Sequence, residues 1–262
     1  MIINLPNQPA IYHYTTFKAL ESILRGRSLW LSHNSCLNDI SEGVHGVEAI
    51  FSAMENNPEN QKDLEFLDKY KSAWKMAVKD EGFYVISFCE EKDALSQWRA
   101  YANEGCGIAI GVDLEYLKRS LGANEIGSAY IMSQCGYTED QYSEIFAKMY
   151  TSFKSLQVKE TPLIIGMAAS FLKHDAFRIE REIRIVAGPG VNTTYRDLGG
   201  RIIPYHVLDL ANDYSWLKEI VVGPCVQQTS IKIAIMGLLN ELKAVRSVSC
   251  SNIPFRGIKY YS

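Results

Sequence analysis

The chain has 262 residues, of which 47% are hydrophobic and 22% charged, with a formal net charge of −3. That balance is ordinary for a water-soluble globular protein of one large domain, or at most two. It excludes a general electrostatic drive toward nucleic acid or anionic membrane, although a local basic groove stays open.

No apolar run approaches a membrane span, and Met1–Pro6 lacks a basic region followed by an apolar core, so neither a span nor a signal peptide is expected. The six cysteines and five histidines are scattered without metal spacing. A reducing, cytoplasmic setting fits them better than a disulfide framework or a zinc site.

Ile11-Tyr12-His13-Tyr14-Thr15 reads as a short strand. A helix follows, with Thr15 or Thr16 as its N-cap, Phe17, Leu20, Ile23 and Leu24 on one face, and Gly26 as terminator. Ser28–Ser32 is the next strand. His13 taken alone is better read as a buried histidine bonded within the sheet than as a ligand-facing donor. The loop His33–Glu42 is rich in capping residues, and two helices are expected over about 41–80 as a helical insertion.

Gly82–Cys89 reads as a buried strand. Asp93 can cap a short helix in which Leu95, Trp98 and Tyr101 share a face, with Gln97 exposed or turned into a cleft. Aromatic residues at that spacing are more often core than ligand platform. Gly105 and Gly107 lead into the buried strand Ile108–Val112. A capping-box spacing at Thr138-Glu139-Asp140-Gln141 opens a long helix, and another starts at Thr161-Pro162 and ends at Lys173-His174-Asp175.

The stretch Phe177–Val186 then reads as a strand. Phe177, Ile179, Ile183 and Ile185 fall on one side, and Arg178, Glu180, Glu182 and Arg184 on the other. Two carboxylates two residues apart on a strand stand roughly 6–7 Å apart. Read alone, this is more often a charged structural face than a catalytic Glu-x-Glu.

Strands are expected near Thr193–Leu198, Ile202–Leu208, Ile220–Val222 and Val245–Cys250, with a helix capped by Thr229 or Ser230 before the last. Phosphate-loop, nucleophile-elbow, Rossmann and zinc-protease patterns are missing. Short strands in uneven alternation with helices indicate an α+β fold, a single domain over 1–262 with a mixed, largely antiparallel sheet and helical insertions.

Several motifs together resemble an uncharacterised bacterial family, a domain of unknown function. They are Tyr12-His13-Tyr14-Thr15, Leu29-Trp30-Leu31-Ser32, Leu37-Asn38-Asp39 with Glu42, Ser87-Phe88-Cys89-Glu90, Gln97-Trp98-x-x-Tyr101-Ala102, Gly107–Gly111, Glu180-x-Glu182-x-Arg184, Ile220–Gly223 and Pro254-Phe255-Arg256. More distantly, the order of a first-strand His, a helix, a short strand ending in Ser and a late Glu-x-Glu is similar to ADP-ribosyltransferases.

That second resemblance implies an ADP-ribosyltransferase-like fold and NAD as substrate, with no metal. It implies His13 on the NAD ribose or phosphate, and Ser32 or Ser87 (or Tyr84) as the middle element. It implies Glu182 on the ribose 2′-hydroxyl and Glu180 toward the acceptor. Arg178, Arg184 or Arg256 would clamp the pyrophosphate, and Tyr14, Gln97, Trp98 and Tyr101 would complete the NAD-binding set. Relatives of that kind serve bacterial conflict as toxins or antiviral effectors. The acceptor is an unnamed macromolecule, with nucleic acid only in that acceptor role, and no membrane partner is implied. Two other readings stay open. One is a non-catalytic nucleotide- or protein-binding module. The other is a metal-dependent hydrolase or nuclease using Asp39, Glu180 and Glu182.

Overall fold

The computed structural model describes residues 1–36, 46–50, 52, 82–122, 130–155, 166–188 and 191–254. The expected insertion over 41–80, and with it Asp39 and Glu42, lies almost wholly outside the described residues, as do Phe255 and Arg256.

The strands are β1 (Ala10–Thr15), β2 (Ser28–His33), β3 (Tyr84–Cys89), β4 (Ile108–Asp113), β5 (Tyr130–Gln134), β6 (Glu182–Ala187), β7 (Thr193–Leu198), β8 (Arg201–Asp209), β9 (Leu217–Val222) and β10 (Ser247–Cys250). The helices are α1 (Phe17–Gly26), α2 (Leu95–Tyr101), α3 (Leu114–Gly122), α4 (Glu139–Ser155) and α5 (Gln228–Glu241). All ten strands join one sheet in the order β10-β9-β4-β1-β3-β2-β8-β7, with β6 on β3 and β5 on β6. Among the described strand pairs β9–β10 is the parallel one, and the others are antiparallel. The α+β fold with a mixed, largely antiparallel sheet is therefore as expected.

Local chemistry accounts for most elements. In α1 the apolar positions Leu20, Ile23 and Leu24 are buried, and Thr16 accepts from the Ala19 amide at 3.2 Å. The helix ends one residue later than Gly26 suggests, because Arg27 takes the left-handed conformation (φ 49°) and its N–H reaches the Ile23 carbonyl. One sheet face packs Ile11, Ile86, Ile110, Ile183 and Ile185 against α1, α3 and α5. The other face carries Val85, Ile131 and Val186 beneath α4 and the helical residues 46–50 and 166–169. Farther along that second face Tyr12, Tyr14 and Cys89 lie beneath Trp98 of α2.

β3 sits at a fork. One of its edges pairs with β6 over its whole length. The other edge is divided, with Cys89 opposite Tyr12 of β1, and Tyr84 and Val85 opposite His33 and Ser32 of β2. Ile86, Ser87 and Phe88 pair with neither β1 nor β2, and the His13 ring stands in the opening, its Nδ1 2.9 Å from the Ser87 carbonyl.

α2 starts after Ala94 and takes no side-chain cap, so Asp93 does not cap it. Asp93 instead accepts from Trp98 Nε1 (2.7 Å), Ser251 Oγ (2.5 Å) and the Asn252 amide (3.0 Å), tying α2 to the chain beyond β10. Asp93→Ala strands the buried indole N–H and the Ser251 hydroxyl. We expect it to lower unfolding stability by about 2 kcal/mol, read as a lower urea midpoint at unchanged slope. An unchanged midpoint would show that water replaces the carboxylate.

Candidate functional site

The expected strand Phe177–Val186 divides in two. Asp175–Glu180 forms a 3₁₀ turn capped by His174, Arg181 has φ 42°, and the strand begins at Glu182. The alternation fails because Ile179 is 71% exposed and so has no face to bury. Glu180 and Glu182 therefore do not project from one strand face. A third residue brings them together.

That residue is Lys173, whose side chain is only 1% exposed. Its Nζ donates to Glu180 Oε2 at 2.6 Å and to Glu182 Oε2 at 2.8 Å. Arg184 Nε donates to Glu182 Oε1 at 2.7 Å and Nη2 to Oε2 at 3.0 Å, while Nη1 donates to the Ser170 carbonyl at 2.5 Å. The Glu182 amide donates to Tyr137 Oη at 3.0 Å, and Tyr142 Oη donates to the Lys173 carbonyl at 2.7 Å. The Lys173 ammonium also lies 5.0 Å from the Phe177 ring centroid. Two carboxylates and two cations leave the cluster neutral, as burial requires.

Burial alone would raise the Glu182 pKa. The charges of Arg184 and Lys173 and their hydrogen bonds outweigh it and hold the carboxyl down at about 2. Both Glu182 oxygens are engaged by cations, and its side chain is 8% exposed. Glu180 is more open, with a 14% exposed side chain whose second oxygen faces the Tyr101 hydroxyl at 3.4 Å.

The other candidates fall into three places. Tyr101, Gln97 and Trp98 lie on α2 above this face. Trp98 is fully buried with its ring 4.7 Å from Tyr14, whereas Tyr101 is 42% exposed, so the two do not share a core face. Gln97, expected on an exposed or cleft-lining face, is 6% exposed and stands one turn before Tyr101 on the same helical stripe. The Tyr14 hydroxyl is engaged, donating to the Glu91 carbonyl at 2.7 Å and accepting from the Ala94 amide at 3.0 Å.

Ser87 lies opposite Arg184 across β3 and β6, on the glutamate face. Tyr84 is three residues away on the reverse face and bonds Thr193. Ser32 lies across the fork, where its Oγ accepts from Arg196 Nη2 at 2.8 Å.

His13 packs edge-on against Phe88 on the reverse face, so the sheet does not set it beside Glu182. Its pKa is lowered by burial and by the charge of Arg196, against its bond to the Ser87 carbonyl, so the neutral ring is favoured. Nδ1 then carries the proton given to Ser87 O, and Nε2 is the free acceptor. Of the arginines offered as clamps, Arg184 is committed to Glu182, and Arg178 is an exposed partner of Asp175.

Residues 97–185 match the family described as protein of unknown function (DUF2971). The expectation of an uncharacterised domain family is met over that stretch, which runs from α2 through the Lys173–Glu182–Arg184 cluster. No curated protein matches the chain in sequence. Among solved structures the chain is similar to DarT of Thermus sp. 2.9 in complex with ADP-ribosylated ssDNA, at 13% identity and a TM-score of 0.39, over 96% of this chain and 98% of that one. No helix among the described residues is long and apolar enough to cross a membrane.

Proposed function

We propose that the chain is an NAD-consuming, ADP-ribosyltransferase-like enzyme in which Glu180, rather than Glu182, meets the substrate. The observation that carries this reading is the Lys173 bridge. One glutamate is sealed between two cations, while the other is held by the same ammonium with its second oxygen turned toward Tyr101 at the surface. The order of a first-strand histidine, a helix, a short strand carrying Ser32 and a late Glu-x-Glu supports it.

In this reading the C–N bond between nicotinamide and ribose breaks, and nicotinamide leaves with the electron pair. Positive charge then grows on the ribose, and a fixed carboxylate stabilises that charge more than it stabilises the ground state. Lys173 holds Glu180 in place. Glu182 and Arg184 keep Lys173 in place. The acceptor, a macromolecule such as a nucleic acid or else water, forms the new bond to the ribose and gives up its proton. Ser87 is the middle element, because it shares the glutamate face. His13 reaches the dinucleotide through the fork, where no β1–β3 pairing closes the sheet. None of the six cysteines, all among the described residues, is in a disulfide, and a cytoplasmic setting and a toxin or antiviral role belong to the same reading.

A metal-dependent hydrolase is disfavoured on geometry. The Lys173 ammonium fills the place between Glu180 and Glu182 that a cation would need.

The test is calorimetric titration of the purified chain with NAD, followed by assay of the same sample for nicotinamide. Binding with release is expected, and Glu180→Gln is expected to slow release about a hundredfold while costing less stability than the same change at Glu182, because Glu180 is the more exposed partner of Lys173. Release at the original rate from that variant would remove Glu180 from the reaction. A folded chain that neither binds NAD nor releases nicotinamide would overturn the enzyme reading in favour of an interaction module.

A further inference from the structure

Arg184 and Arg196, both on this face of the sheet, are treated differently. Arg184 is buried against a carboxylate that accepts from two of its nitrogens. Arg196, on β7, has no such partner among the described residues. Its guanidinium rests against two neighbouring rings, 5.2 Å from the Trp30 centroid and 5.4 Å from the Tyr205 centroid. Its hydrogen bond among the described residues is Nη2 to Ser32 Oγ, and its Nε is buried with no partner. A cation desolvated by two aromatic rings and matched to no anion among the described residues is an expensive arrangement. It is also the arrangement of a site waiting for an anion. The rings hold the guanidinium plane, and its free donors suit oxygens that arrive in that plane.

The strands explain why these residues meet. Ser32 lies opposite Tyr205 across β2 and β8, and Thr194 lies opposite Tyr205 across β7 and β8. Period-two alternation then puts Trp30, Ser32, Tyr205 and Arg196 on one face. Ser32 also pairs with Val85, so this is the face that carries Ser87 and Glu182, on the other side of the fork. Arg196 is close enough to His13 for its charge to act on that ring. The group therefore stands beside the opening in the sheet.

We propose that Arg196, oriented by Ser32 and backed by Trp30 and Tyr205, is an oxyanion site that takes the phosphate of a nucleotide. Phosphate fits because it presents several in-plane oxygens with more than one charge, and the tilted ring pair (5.1 Å between centroids) offers an apolar neighbour for the rest of the nucleotide. The inference stands whether or not NAD is cleaved, since any phosphoryl-bearing nucleotide qualifies.

The test titrates the full chain in phosphate-free buffer with inorganic phosphate, ADP and adenosine, following tryptophan fluorescence and melting temperature. ADP is expected to bind and to raise the melting temperature, inorganic phosphate to do so more weakly, and adenosine to do neither. Arg196→Met, checked for native circular dichroism, is expected to weaken ADP binding by about tenfold or more and to lose the ADP-dependent rise. Ser32→Ala, which leaves the charge in place, is expected to weaken it a few-fold. A merely structural arginine would change the melting temperature without changing the increment that ADP adds. Wild-type ADP affinity in Arg196→Met, or no binding of ADP by the wild type, would overturn the proposal. Phosphate binding as tight as ADP would overturn its nucleotide part. Glu180→Gln is expected to keep ADP binding, so failure of the NAD reading and failure of this one give different results.

Discussion

Glu182→Gln is expected to destabilise the fold by about 3–5 kcal/mol, because it leaves a buried cation without its counter-charge. The wild-type cluster balances Glu180 and Glu182 against Lys173 and Arg184. Glutamine keeps the shape and some hydrogen bonding, but the cluster becomes net positive in a place that water does not reach. A Glu182 that met the ribose, as the resemblance implies, would instead lose turnover on this substitution and keep its folding. Activity lost in that variant cannot be assigned to chemistry until its stability is known. Guanidinium unfolding of the wild type and the variant measures the loss. Adding Lys173→Met to Glu182→Gln is expected to recover part of it, since the stranded ammonium goes too, and the non-additivity of the double mutant measures the coupling. A variant as stable as the wild type would mean that the cluster is solvated in solution, and would return Glu182 to the list of reagents.

Much of the sheet is written in local pattern. The strands Ile108–Val112 and Thr193–Leu198 and the amphipathic α1 follow from apolar spacing and turn residues, and the structure places them as expected. The glutamate pair shows where local pattern stops. Phe177 to Val186 alternates as a strand should, yet Phe177 and Ile179 stay exposed and the segment coils until Glu182. Alternation records which side chains could share a face, not whether a neighbouring strand exists to cover it. Lys173 left no motif, because its role depends on the turn between it and Glu182. The signal that could have found it was charge bookkeeping. Two glutamates near one strand start need buried cations, and Lys173 is a cation close before them in the chain, four residues past the helical stretch that ends at Ala169. The separation of His13 from Glu182 depends on a three-strand register through β3, and the Arg196 cluster on the meeting of β2, β8 and β7. Neither register is encoded within any one segment.

The same cluster predicts how the protein meets acid. Glu182 titrates at about 2 in the folded chain, against an ordinary value of 4.5. Its folded pKa is the lower, so the unfolded chain takes up the proton first. The stability this group contributes is therefore complete above about pH 4.5 and is lost as the pH falls from there toward 2. A separation of about two and a half pKa units corresponds to roughly 3 kcal/mol. His13 works in the same direction in a higher window. Burial and Arg196 lower its folded pKa below 6.5, so the unfolded chain again binds the proton first, and stability declines as the pH drops through 6.5. Urea midpoints measured from pH 8 to pH 2 are expected to fall in two stages. Glu182→Gln should flatten the stage below pH 4.5, and His13→Gln the stage near 6.5. A wild-type midpoint that holds steady between pH 4.5 and 2.5 would contradict the buried cluster, because a carboxylate clasped by two cations cannot be protonated without weakening both contacts.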